Sequence, residues 1–184
     1  MKSKLTKISF IVLIFLIFML SVQCLLFVKQ QRKNEEHFVN NFCSYFLVFS
    51  DRFCTNVDTE YIFTAEGMKI CLDEITRIDN YFATERPYTV NFLSSSTIFA
   101  PDFDALSLGE LQRCISALTK RLNDGYNLET TDVEWIHLLY KELKLLRSTL
   151  YSENTLNSDF LKPDRFTNVF QEFFSNLVLD DRLQ

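Results

Sequence analysis

Any chemistry in this chain has to come from five cysteines, two histidines and a few close acidic pairs. Cys43 and Cys54 share a helical face but stand eleven residues apart. That is about 16 Å within one helix, too far for a bond between them. A chain reversal near Val57 would instead set Cys43 level with Cys71 across a hairpin. In an oxidising compartment that register predicts a Cys43–Cys71 disulfide stapling two helices. The alternative is that all five are small apolar core residues.

The remaining candidates are weaker. His37 and His137 are 100 residues apart, so neither belongs to an H-x-x-x-H metal pair. Asp102-x-Asp104 opens like a calcium loop, but Leu106, Ser107 and Arg113 occupy the positions of the third oxygen ligand, the glycine and the glutamate. Asn123, Asp124, Asn127 and Glu129 read as a polar turn between helices. Asp73 and Glu74 are adjacent in a helix and point in different directions, which rules out a paired acid and base. Gly67, Gly109 and Gly125 are too far apart to make G-x-G, so neither a dinucleotide fingerprint nor a phosphate loop is present. The expectation is a non-enzyme with no catalytic, cofactor-binding or metal site.

The elements that position these residues are clearer. Residues 8–28, ISFIVLIFLIFMLSVQCLLFV, carry no charge. As a helix they cross a hydrocarbon core of about 30 Å. The apolar run continues past Ser21 without small residues for cleavage, which predicts an uncleaved signal anchor. Gln23 stands where a lipoprotein signal needs a small residue before its cysteine, so Cys24 reads as a side chain at lipid depth. Lys2, Lys4 and Lys7 precede the span and Lys29, Arg32 and Lys33 follow it, so the basic residues balance. A short basic tail of residues 1–7 inside and a long body outside is the commoner arrangement, and it is the expected one. The location expected is the cell membrane, single-pass, with the N-terminus cytoplasmic.

The first 34 residues hold six of the 19 basic side chains and no acidic one; residues 35–184 hold the other thirteen and all 24 acidic ones, a net of −11. So acidic a body is repelled by phosphate backbones, which excludes nucleic acid as a partner.

Beyond the basic juxtamembrane segment, 29–34, apolar residues recur at helical spacing. Phe38, Phe42, Tyr45, Phe49 and Phe53 form one stripe, predicting a helix that runs unbroken from the membrane to about Cys54. Asp58 is placed to cap a second helix that stops before Pro87. Ser107–Glu110 and Thr131–Glu134 fit capping boxes for the next two, with Gly125 at the left-handed position that ends the first of them. Pro163 opens a last helix carrying Phe166, Phe170, Phe173 and Leu177. The fold class is all-α: an N-terminal transmembrane helix continuing into an antiparallel bundle of four to five helices, the acidic domain 35–184. A long crossover, 87–106, has room for a short β-hairpin and for a recognition loop.

The helix from Thr131 has more apolar surface than one face requires. Trp135 widens its arc, and Leu138 and Leu145 lie almost opposite its main stripe. Either the helix is packed between neighbours or that face receives a partner. The candidate partner-binding residues are Trp135, Leu138 and Leu145, with Phe92, Phe99 and Phe103 of the crossover. The function expected is a membrane-anchored envelope protein whose body is an interaction or assembly module, without cofactors and with other envelope proteins as partners. The alternative is a helical-bundle ligand sensor outside the cytoplasm that works through a membrane partner.

Overall fold

The computed structural model describes residues 2–89, 105–151 and 163–177. Five α-helices account for nearly all of them: α1 (Lys2–Asp58), α2 (Ala65–Thr89), α3 (Ala105–Asn123), α4 (Thr130–Tyr151) and α5 (Pro163–Asn176). No strand occurs among the described residues. The hairpin considered for the crossover, with Phe92, Phe99 and Phe103, lies outside them.

α1 is a single helix of 57 residues with no break between its apolar N-terminal half and its body half. From Glu35 onward it becomes the central helix. It packs against α2, α4 and α5, while α3 packs on α2 and α5 on α4. Phe38, Phe42, Phe46, Phe49 and Phe53 follow one another along α1 at steps of three or four residues, and all five are buried. α5 answers with Phe166, Phe170 and Phe173. Phe42 meets Phe166 and Phe170 edge-on at 5.3 and 5.2 Å, and Phe46 meets Phe170 and Phe173 at 5.0 and 5.5 Å. Edge-to-face packing sets the positive rim of one ring against the negative face of the next.

The hairpin between α1 and α2 differs from the sequence expectation. α1 continues through Val57 to Asp58, Glu60 takes a left-handed φ of 57°, and Tyr61–Phe63 form one 3₁₀ turn. Thr64 caps α2 in place of Asp58: its Oγ1 accepts from the Gly67 N–H at 3.0 Å. The reversal is therefore centred several residues later than Val57, and the register shifts with it. Arg52 pairs with Glu74, and Asn56 donates to the Cys71 sulfur at 3.6 Å. Cys71 is level with Asn56, which lies about 20 Å along α1 from Cys43. A Cys43–Cys71 disulfide cannot form in this register, and both cysteines are buried free thiols.

Three helix boundaries also move. α2 continues through Pro87 to Thr89, because one proline near the last turn removes only one intrahelical bond. α3 begins at Ala105, which leaves Ser107 inside its first turn instead of at the cap. α4 starts at Thr130, with Glu129 as its cap. Asp132, three residues on, reaches back to accept from the Glu129 N–H at 2.9 Å, the acidic half of a capping box two residues earlier than expected. The end of α3 is as the sequence implies. Gly125, at φ 79°, and Tyr126 donate their N–H groups to Leu122 and Arg121, a complete Schellman closure.

Candidate functional site

α4 is fixed to α1 along one side by polar contacts. Ser50 Oγ donates to the Leu143 carbonyl at 3.3 Å, and Arg147 pairs with Asp51 at 3.1 Å. Near the end of α1, Tyr140 donates to Asp58 and Lys144 donates to Tyr140, with the ammonium 4.1 Å from the ring centroid. The Tyr140 bond holds the Lys144 ammonium pKa above its ordinary value. Asp58, expected as a cap, thus serves as the anchor of α4. These contacts set the rotation of α4, so that Ile136, Leu139, Leu143, Leu146 and Leu150 enter the core.

That rotation decides where the candidate partner residues fall. Trp135 is 7% exposed and joins the core, and its indole N–H has no hydrogen-bond partner among the described residues. Burial there takes Trp135 out of any accessible face: packing between neighbours is what the apolar arc at this position serves. Leu138 is half-buried. Leu145, one heptad along the same side, is 54% exposed. It stands at the rim of a surface groove between α4 and α5, a cavity of about 110 Å³ floored by Leu146, Val169 and Phe173. Two carboxylates flank it. Glu142 is buried and accepts from Asn176 at 3.1 Å, whereas Glu172 is exposed.

A larger open depression of about 470 Å³ lies at the α3–α4 turn, beside Lys120, Arg121, Tyr126 and Asn127. Of the two carboxylates that line it, Glu129 is ion-paired and Asp124 is exposed. Arg121 binds Asp132 at 2.6 Å and Glu129 at 3.4 Å, so the polar turn serves to close α3 onto α4. Among the described residues no group of three histidine, cysteine or acidic side chains is placed to hold a metal.

The histidines and thiols are dispersed in the same way. His37 and Asn41 are 3.2 Å apart on the exposed side of α1, and His137 lies beside the Phe63 ring. Burial pushes the Cys43 and Cys71 thiols up to about 12. It also raises those of Cys54 and Cys114, against a lowering from the Ser50 hydrogen bond at Cys54 and from the Arg113 charge at Cys114. A thiol held protonated is a poor nucleophile and a poor metal ligand.

No protein family matches the chain, and no curated protein or solved structure is similar to it. Near the N-terminus the structure has one helix long and apolar enough to cross a membrane. Its apolar half stands clear of the bundle, with Leu16, Phe18, Leu20 and Leu25 all more than half exposed.

Proposed function

We propose that this chain is a single-pass membrane protein, held by residues 8–28 in the cell membrane with its N-terminus cytoplasmic and its acidic body outside. The body acts as an assembly module that docks other envelope proteins. The observation that carries this reading is Leu145, a large apolar side chain left 54% exposed beside the α4–α5 groove, next to the buried Leu146 and Phe173. With Glu142 and Glu172 at its edge, the groove suits an apolar side chain flanked by a basic one. Phenylalanine rings fill the bundle axis, and both described cavities open at the surface. That supports assembly over the sensing of a small ligand between the helices.

Replacing Leu145 by serine tests it. Because the site is on the surface, the fold should keep its stability within about 0.5 kcal/mol. Crosslinking in intact membranes should then lose a partner that the wild-type chain retains. An unchanged set of crosslinked partners overturns the reading.

A further inference from the structure

α1 carries one stripe that its own chain leaves open along most of its length, Asn41 being half-buried where it bonds Tyr81 of α2. In the apolar half the stripe is Val12, Leu16, Met19, Gln23 and Leu26; beyond it come Gln30, Asn34, His37, Asn41, Ser44 and Val48. The steps alternate between four and three residues, with two fours in succession at Gln30. They average the 3.6-residue turn, so the stripe runs straight along the helix for about 55 Å. In the bundle it occupies the open arc of α1. α2 takes the side of Tyr45 and Arg52, through Tyr81 and Glu74. α4 takes the side of Asp51 and Asp58, through Arg147 and Tyr140. Gln30, Asn34, His37 and Ser44 are exposed, and Val48 is 40% exposed.

Two features say what covers it. Gln23 is five residues from the middle of the apolar segment, about 7.5 Å from the bilayer centre once that segment spans. Its amide is exposed and has no hydrogen-bond partner among the described residues. An amide facing hydrocarbon alone is costly, and a neighbouring helix with a polar group at that depth relieves it. A second copy, inserted the same way, presents Gln23 at the same depth by construction.

The second feature is charge. In a parallel self-pair, each residue near the axis faces its own counterpart, so a charge there would meet a like charge. Lys29, Arg32, Lys33, Glu35 and Glu36 crowd this part of the helix. Four of them fall on other faces and Lys33 only flanks the edge, which leaves the stripe itself uncharged from Val12 to Val48. Charge returns at Asp51 and Arg52, where Arg147 and Glu74 of the same chain engage it. A foreign partner would impose no such exclusion. Polar, uncharged side chains at seam positions are also the kind that fix register between paired helices. They are already ordered along the stripe: Gln30 donates to Asn34 at 3.0 Å, and His37 and Asn41 are paired.

We infer that α1 pairs in parallel with α1 of a second copy of this chain along the stripe Val12–Val48, with Gln23 bonded to Gln23 in the membrane. The pairing rests on the membrane reading of residues 8–28 and is independent of the α4–α5 groove.

Cysteine crosslinking of the full chain in native membranes tests it. Gln30→Cys and Ser44→Cys place reporters on the stripe. Arg32→Cys and the native Cys24 lie on other faces, and the remaining cysteines are buried. With a short bifunctional maleimide, Gln30→Cys and Ser44→Cys should each give a covalent species containing two copies of this chain, while wild type and Arg32→Cys give several-fold less. Adding Gln23→Leu to Ser44→Cys should lower the yield about 3- to 30-fold, the effect of one hydrogen bond between helices in lipid. Equal crosslinking at every position, crosslinks only to a different protein, or no effect of Gln23→Leu each overturns the inference. Alkaline extraction of the same membranes separates the two failures. A chain that stays in the pellet without stripe-specific crosslinks refutes the pairing alone, and a chain that is released refutes the membrane reading as well.

Discussion

Cys43 and Cys71 show how a residue's type and its neighbours part company. Both have the look of a disulfide pair in the sequence, yet burial holds each thiol up to about 12. The consequence for stability has a definite sign. An unfolded thiol ionises near pH 9, its ordinary value, whereas the folded ones keep their protons until about pH 12. Between those values the unfolded state binds fewer protons, so stability is complete below pH 9 and falls as pH rises towards 12. Urea midpoints measured from pH 8 to 11 should fall with pH, and the fall should be shallower in the Cys43→Ala, Cys71→Ala double variant. Below pH 9 the folded body should also leave both thiols unmodified by maleimide. Asp132 teaches the complementary lesson. Its acidic character near a helix start was legible, but its pairing with Arg121 was not, because eleven residues and a glycine turn separate the two.

Among the elements, the periodic stripes were readable because burial forces apolar residues to recur at the helical repeat. All five helices, the reversal at Gly125 and the opening of α5 at Pro163 follow from that pattern and from turn chemistry. The α1–α2 reversal was not readable. Its position depends on a 3₁₀ turn, on a left-handed Glu60 that no sequence rule favours, and on Gly67. The Gly67 site has no room for a side chain, since a Cβ there would stand 2.0 Å from the Tyr61 carbonyl oxygen. Gly67→Ala should therefore destabilise the body by about 1–3 kcal/mol, visible as a lower urea midpoint, even though alanine is the better helix former. Phe42, buried against Phe82, Phe166 and Phe170, joins three helices at one ring. Phe42→Ala should cost about 3–5 kcal/mol by the same measurement. Leu145 belongs to this scale too. That α4 had apolar residues to spare was evident in the sequence; that Trp135 is buried and Leu145 exposed is decided by Ser50, Asp51 and Asp58 on another helix.

For the whole molecule, the main structural fact is that one helix does two jobs. α1 is about 85 Å long, apolar and exposed over residues 12–28 and the centre of the bundle at its end. Any tilt or rotation of the apolar half is passed to the core without a hinge, because no glycine or proline interrupts α1. The charge division follows the same axis, six basic side chains before residue 35 and an acidic body after it. The central claim, an acidic bundle displayed outside a membrane that α1 crosses, meets its most direct test in labelling of intact cells. Cys114 is buried and unsuitable as a reporter, whereas the exposed Asp124 at the α3–α4 turn is well placed. A membrane-impermeant maleimide should modify the Asp124→Cys variant in intact cells to the same extent as after permeabilisation. Modification only after permeabilisation would contradict the account.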